Sequence, residues 1–313
     1  MSTQRKIPYV RLGNSGLKVS KIILGAMQYG DPGWQPWVLG EEEAIKHVKV
    51  AYEAGIQTFD TANVYSNGLS EIILGKAIKE LKLPRDEIVV MTKLYATVAR
   101  EFGSNLISKG LDPDASGYVN QHGLSRKMQA LHDVVKAGYV RYIGMSSCYA
   151  WQFSAMQNYA LNNKLTPFIS MQNHYSLLYR EEEREMFPTL KHFGVGAIPW
   201  SPLARGLLAR PLSAQTKRGD TDPYISSYSC SETPGTAEII GRVEEVAKKR
   251  EISMAQVAIA WILSKEGVSA PIVGTTNLKN LEDIIAGANV KLTDEEIKFL
   301  EEPYKPQKII GHF

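Results

Sequence analysis

Short apolar runs alternate with amphipathic segments along almost the whole chain. In residues 41–55, for example, Ala44, Val48 and Ala51 share one face at helical spacing, and Gly55 is a natural stop. The apolar runs predict buried strands at 18–27, 57–62, 87–93, 139–147, 167–176, 195–201 and 270–277. The amphipathic segments predict helices at 41–55, 69–83, 126–138, 150–163, 180–194, 236–250, 253–267, 278–288 and 293–302. This alternation is typical of an α/β protein with a parallel sheet.

Polar residues gather where the predicted strands end. They are Asp60, Lys93, Ser146, Ser147, Gln172, Asn173, Ser201, Thr275 and Thr276. A doubly wound nucleotide-binding fold would carry a Gly-x-Gly-x-x-Gly motif after an early strand, and the sequence has none there. One mouth lined by the ends of all strands is the layout of a (β/α)8 TIM-type barrel. The sequence therefore predicts an α/β barrel in a single domain, residues 1–313.

The strand count is one short of such a barrel. Seven strands can be counted, whereas the fold has eight. The interval 94–127, between the third and the next strand, is polar and rich in glycine. A structureless loop of this length inside a compact domain indicates that an element is missing. The fourth barrel strand is therefore expected to be absent from this chain.

Composition and charge limit the kinds of partner that this chain is expected to bind. The 313 residues are 44% hydrophobic and 22% charged, as in a soluble globular protein. The net charge is +3 and no basic stripe is present, so we expect no nucleic-acid partner. No apolar run approaches a membrane span, and Cys148 and Cys230 lack a metal-type spacing. We expect no membrane association and no metal, and a cytoplasmic location.

Asp60, Tyr65 and Lys93 are candidates for a catalytic group in which Tyr65 is the general acid. A lysine beside a tyrosine favours the phenolate, which lowers the pKa of the phenol, and a carboxylate keeps that lysine charged and in place. A phenol tuned in this way can act as a general acid on a carbonyl oxygen. The alternative is a surface tyrosine near an unrelated ion pair.

At these residues the chain resembles the aldo-keto reductase superfamily. It is most similar to the fungal branch of aryl-alcohol dehydrogenases and versiconal hemiacetal acetate reductases, which is related to the potassium-channel β subunits. The resemblance extends over almost the whole length. It rests on the stretches YVRLGNSGLKVSKIILGAMQYG, GIQTFDTANVYSNGLSEIILGKAI, VVMTK, VKAGYVRYIGMSS, MQNHYSLL, PWSPLARGLL and PIVGTT.

The resemblance implies a barrel that holds NADPH across its mouth. Asp60, Tyr65 and Lys93 match three members of the family's catalytic tetrad, with Tyr65 as the proton donor. The implied cofactor contacts run from the nicotinamide, through the pyrophosphate, to the adenosine. They are Ser146, Ser147, Gln172, Trp200, Ser201, Pro202, Leu203, Gly206, Gly274, Thr276, Asn280 and Asp283. Arg218 is a candidate partner for a 2′-phosphate.

These residues also have physical roles of their own. An amide such as Gln172 can satisfy a carboxamide in two directions, and a glycine-containing loop lets backbone N–H groups approach phosphates. For each residue, the alternative is a core or turn role. In particular, Trp200 could be a core residue, and Gly206 and Gly274 could be turn glycines.

The fourth tetrad member of the family, a histidine at the end of the fourth strand, is missing here. The phrase HGLSRK ends at Lys127, and from Met128 onward the chain continues as the family does one βα unit later. This predicts an internal deletion at 127/128, from a splice or gene-model artefact, a truncated isoform or a divergent paralogue. Of the remaining histidines, His174 alone lies at a predicted strand end, where a structural role is the alternative.

Two functions follow from these residues. The first is NADPH-dependent reduction of aldehydes or ketones, such as aryl or secondary-metabolite carbonyls, with Tyr65 as the general acid. The alternative is an NADP(H)-binding regulatory or catalytically impaired homologue, because the tetrad histidine is absent. A chain that does not fold stably is a third possibility.

Overall fold

The computed structural model describes residues 7–105, 124–214 and 234–312. An antiparallel hairpin opens it, formed by β1 (Tyr9–Arg11) and β2 (Lys18–Ser20). Within the hairpin, Gly13 adopts φ +55, and a Cβ there would lie 2.5 Å from the carbonyl oxygen of Gly194. The hairpin therefore packs at the end of the sheet opposite the predicted mouth, because Gly194 comes just before a strand.

The structure forms a strand within each of the seven predicted runs. They are β3 (Ile23–Gly25), β4 (Thr58–Asp60), β5 (Val89–Met91), β6 (Ile143–Ser146), β7 (Phe168–Gln172), β8 (Gly196–Ala197) and β9 (Ile272–Val273). The first prediction, 18–27, is wrong in one respect. That run is divided between hairpin strand β2 and sheet strand β3, because β2 pairs backward with β1 while β3 pairs with β4.

The helices lie between and after these strands. They are α1 (Glu41–Glu53), α2 (Leu69–Glu80), α3 (Leu124–Lys136), α4 (Ala150–Asn162), α5 (Met186–Phe193), α6 (Thr236–Arg250), α7 (Met254–Ser264), α8 (Leu278–Gly287) and α9 (Asp294–Glu301). Local chemistry sets their ends. Helix α9 begins at a capping box of Thr293 and Glu296, and α5 ends at the left-handed Gly194. The alternation of parallel strands and helices confirms the α/β prediction.

The strands follow one continuous order. Parallel pairing gives β5-β4-β3-β9 in one sheet and β6-β7-β8 in another. Backbone bonds join the sheets, among them those from Ser269 N to Ala197 O and from Ile272 N to Pro199 O, both 2.8 Å long. The combined order is β5-β4-β3-β9-β8-β7-β6, so β5 and β6 stand at its two ends.

Strands β5 and β6 are less covered than those inside the order. Among the described residues, no strand pairs with their outer sides. All three residues of β4 are buried, whereas those of β5 are half-buried and Gly144 in β6 is exposed. Large apolar side chains nearby are also exposed, Leu94 to 79% and Tyr139 to 83%. These unpaired sides of β5 and β6 lie where the sequence predicts that the fourth strand is absent.

The core lies between the strands and the surrounding helices. Phe59 of β4 is fully buried in one cluster with Val48 of α1 and Ile73 of α2. Among the described residues, Trp261 of α7 is the largest fully buried side chain. Truncating such a residue, as in Phe59→Ala, costs roughly 3–5 kcal/mol in general. No helix in the described ranges is both long and apolar enough to cross a membrane.

Candidate functional site

Lys93 joins three oxygen atoms at the carboxyl ends of β4 and β5. Its Nζ donates hydrogen bonds to Asp60 Oδ2 at 2.7 Å, to the carbonyl of Thr61 at 2.7 Å and to Tyr65 Oη at 3.2 Å. The register explains the proximity, because Asp60 pairs with Met91, two residues before Lys93. The structure thus brings together the three residues that the sequence singled out.

Tyr65 stands on a tight turn rather than in a regular element. It begins a 3₁₀ segment, Tyr65–Gly68, in which Ser66 and Asn67 have left-handed backbones with φ of 45° and 51°. Local bonds hold this conformation. Ser66 Oγ accepts from Asp31 N at 3.1 Å, and Asn67 Nδ2 donates to Ser104 O at 2.8 Å. The phenol is therefore fixed at the mouth by its own loop.

Burial dominates the electrostatics of the pair. It raises the pKa of Tyr65 above its ordinary value of 10.0, and the charge of Lys93 opposes the rise only in part. For Lys93 itself, burial lowers the pKa, but the neighbouring Tyr65 and Asp60 outweigh it and the net pKa is raised. The expectation that the phenol has a lowered pKa is therefore wrong here. Tyr65 keeps its proton, and Lys93 keeps its charge.

Removing the ammonium should be costly because Asp60 is buried. The side chain of Asp60 is 3% exposed and that of Lys93 is 22% exposed. We expect Lys93→Met to lower the free energy of unfolding by about 3 kcal/mol, since a buried charge is left without its partner. Urea unfolding measures this. The matched control is Lys46→Met, which removes exposed ion pairs with Glu42 and Glu43 and should leave the free energy of unfolding almost unchanged. Equal losses in the two variants would contradict the assigned role.

Gln172, Ser146 and Ser147 form a second polar group beside the first. Gln172 Nε2 donates to Asp60 Oδ1 at 2.9 Å, so both oxygens of that carboxylate are engaged. Ser146 Oγ donates to the carbonyl of Gln172 at 2.7 Å. Ser147 Oγ accepts from Trp200 Nε1 at 3.2 Å. The residues implied for the nicotinamide end, Ser146, Ser147, Gln172 and Trp200, are thus connected to one another and to Asp60. The bond from Gln172 to Asp60 was not foreseen from the sequence.

The loop after β8 has the backbone of an anion-binding concavity. Four residues have positive φ: Ser201 (54°), Ala204 (47°), Arg205 (56°) and Gly206 (99°). Left-handed stretches can present backbone N–H groups to an anion. In this loop the N–H groups of Ala204 and Gly206 donate to Ser201 O and Leu203 O. Pro202, also implied in this loop, is buried.

Leu203 anchors the same loop, since it packs against two hydrophobic clusters. The pyrophosphate contact implied for this loop stays a prediction. The left-handed residues other than the glycine carry no signal in the sequence.

The remaining implied contacts follow β9. A Cβ at Gly274 would lie 2.5 Å from Gln28 Oε1, so a side chain there would require Gln28 to move. Thr276 and Asn280 are exposed and accessible to a ligand. The carboxylate of Asp283 accepts hydrogen bonds from Ser253 Oγ and Gln256 Nε2, both at 2.6 Å. The contact of Asp283 with the adenosine therefore stays a prediction. Arg218 lies outside the described residues.

Two of the described histidines are engaged by other partners. His132 bonds to Thr166 at 2.9 Å, and His312 pairs with Glu182 at 2.7 Å. His174 lies at the mouth, stacked face to face between Tyr179 and Trp200. His122 lies outside the described residues.

Comparison with known proteins decides the family. The model of the aldo/keto reductase family matches residues 21–118 and 111–305. The chain belongs to the aldo/keto reductase family. This aldo/keto reductase is 47% identical to a versiconal hemiacetal acetate reductase of Aspergillus parasiticus, over 96% of this chain and 98% of the relative. It is 45% identical to a Schizosaccharomyces pombe protein named as an aryl-alcohol dehydrogenase, over 97% of each. An aldo-keto reductase of Fusarium vanettenii is 41% identical, over 99% of this chain and 94% of the relative.

The relatives contain residues that this aldo/keto reductase lacks. The first alignment runs over 339 positions and the third over 352, although the chain has only 313 residues. The family model also matches in two parts, which overlap at residues 111–118, in the interval between β5 and β6. This position is upstream of the junction expected at 127/128.

Family membership supports an oxidoreductase and implies a (β/α)8 barrel.

Proposed function

We propose that this chain binds NADPH and reduces aldehydes or ketones, of the aryl or secondary-metabolite class, to alcohols. The observation that carries the proposal is the position of Lys93 Nζ, within hydrogen-bond distance of both Asp60 and Tyr65 at the carboxyl ends of the strands. Family membership and the names of the relatives support it. The alternation of strands and helices supports one barrel domain in which a βα unit is missing between β5 and β6.

The protein residues would act on the carbonyl oxygen. When bound, NADPH supplies the hydride. Tyr65, which stays protonated, donates its proton to that oxygen as negative charge develops on it. Lys93 stabilises the phenolate that remains, and Asp60 holds Lys93 charged in place. Gln172 in turn keeps the carboxylate of Asp60 oriented.

Residues from three places would hold the cofactor. Trp200 offers a flat face to the nicotinamide, and the positive-φ loop 201–206 offers backbone donors to the pyrophosphate. Gly274 allows close approach at the last strand. The choice of NADP over NAD rests on the family resemblance and on Arg218. Measured affinities for NADPH and NADH test it, and equal values would contradict the 2′-phosphate assignment.

The assay is loss of NADPH absorbance in the presence of an aryl aldehyde. The proposal predicts turnover that depends on both reactants, with the aryl alcohol as product. NADPH consumption that is independent of the aldehyde would count against it.

A second function is favoured by the outer sides of β5 and β6, which pair with no strand within the described residues. Because the tetrad histidine is expected at the end of the missing strand, the chain could bind NADP(H) without useful turnover. Calorimetric binding of NADPH together with no detectable alcohol would support this alternative over the first.

A further inference from the structure

Three aromatic rings form a column at the mouth: Tyr179, His174 and Trp200. The centroids of Tyr179 and His174 are 4.2 Å apart with planes 9° from parallel, and those of His174 and Trp200 are 4.3 Å apart with planes at 8°. The backbone explains the second contact, since His174 and Trp200 pair in a parallel bridge just beyond β7 and β8. Tyr179 is turned back by two bonds with Ser176, of 3.1 Å and 3.0 Å.

Both ends of the column are fixed. At one end, Trp200 Nε1 donates to Ser147 Oγ at 3.2 Å. At the other end, Tyr179 Oη accepts from the backbone N–H of Ile310 at 3.0 Å. Ile310 belongs to the C-terminal segment, which is itself held by the pair of His312 and Glu182. The plane of the indole is therefore set by contacts on several sides.

The middle ring of the column is uncharged. Burial, together with the nearby Arg205 and His312, lowers the pKa of His174 to about 3. A neutral imidazole can lie between two aromatic rings without the cost of burying a charge. His174 covers one face of Trp200, and a Cβ at Gly311 would lie 3.0 Å from Cζ2 of the indole. A planar ligand would therefore have to stack on the face opposite His174.

We propose that His174 is a positioning residue, which holds the indole plane of Trp200 for stacking on the nicotinamide ring of the cofactor. The proposal rests on the proposed function, because it needs NADPH to bind at Trp200. Stacked aromatic pairs are worth about 0.5–1.5 kcal/mol beyond buried area, which corresponds to about two- to tenfold in affinity. His174 would control the part of the affinity that comes from the nicotinamide.

The test compares two ligands by isothermal titration calorimetry. One is NADPH, and the other is 2′-phospho-ADP-ribose, which lacks the nicotinamide. We expect His174→Leu to weaken NADPH binding about five- to tenfold and to leave binding of 2′-phospho-ADP-ribose unchanged. His174→Phe keeps a flat, uncharged ring and should bind NADPH within about twofold of the parent chain. If His174→Leu does not fold, Tyr179→Leu removes the far ring of the column. It should weaken the binding of NADPH and leave the binding of 2′-phospho-ADP-ribose unchanged.

Unchanged NADPH affinity in the leucine variant would overturn the proposal. An equal loss for both ligands would also overturn it, since that indicates general damage to the pocket. A parent chain that binds neither ligand is a different result, because it contradicts the proposed function itself.

Discussion

Tyr65→Phe should lower kcat/KM for NADPH-dependent reduction of an aryl aldehyde by about 10²–10⁴, the usual contribution of a positioned acid. The variant keeps the ring that lies 4.9 Å from Lys93 Nζ and 6.4 Å from the ring of Trp34, but it loses the only proton that this ring can donate. NADPH affinity should be unchanged, because the hydroxyl bonds Lys93 rather than a predicted cofactor residue. Steady-state kinetics and calorimetry measure the two quantities.

Tyr139→Phe is the matched control for that variant. It makes the same chemical change at a tyrosine that is 83% exposed, before β6. The control should keep the parental rate. If Tyr65→Phe also keeps it, the role given to Tyr65 is wrong.

The raised pKa of Tyr65 sets the pH at which its proton is lost. In the chain without ligands, tyrosinate absorbance from Tyr65 should not appear until above about pH 10, as a difference between the parent and Tyr65→Phe. The contribution of this residue to stability is complete below its unfolded pKa of about 10 and is lost as pH rises through the higher folded value. Tyrosinate from Tyr65 near neutral pH would contradict this account.

Restoring the missing unit should raise activity by about 10²–10³, the effect of one oxyanion donor in other enzymes. The insert would be the fourth βα unit of a family member, placed at the junction predicted after Lys127. Its strand would pair with the free sides of β5 and β6, and the family resemblance places the tetrad histidine at the end of that strand. Covering exposed residues such as Leu94 and Tyr139 should also raise the melting temperature.

Two controls separate chemistry from folding in that experiment. Replacing the restored histidine by alanine should return the rate toward the parental value while keeping the raised melting temperature. A glycine–serine insert of the same length should change neither quantity. An unchanged rate and melting temperature with the native segment would show that no βα unit belongs at this position.

Periodicity in the sequence was enough to find the strands of the sheet. Each of the seven runs contains a strand because parallel strands buried on both faces leave continuous apolar sequence. The prediction that the fourth strand is absent comes from the same pattern, because the interval 94–127 lacks such a run. The division of 18–27 into two strands was not predicted, because it depends on pairing with Tyr9–Arg11.

The candidate site was only partly predictable. The strand ends in the sequence predicted that Asp60 and Lys93 lie at one edge of the sheet. The direction in which the pKa of Tyr65 shifts depends on burial, which local sequence does not show. The left-handed backbone at Ala204 and Arg205 also lacks a residue signature. The ring column joins residues 174, 179 and 200 and is fixed by Ile310, so it exists only through tertiary contacts.

Transfer of deuterium from the cofactor tests the central claim most directly. The chain is incubated with an aryl aldehyde and NADPH that carries deuterium at both C4 positions, and the alcohol is analysed by mass spectrometry. A carbonyl reductase predicts one deuterium on the carbinol carbon of the product, formed at a rate that falls in Tyr65→Phe. Absence of labelled alcohol, with NADPH bound and the chain folded, would contradict the proposal that this site transfers hydride to a carbonyl.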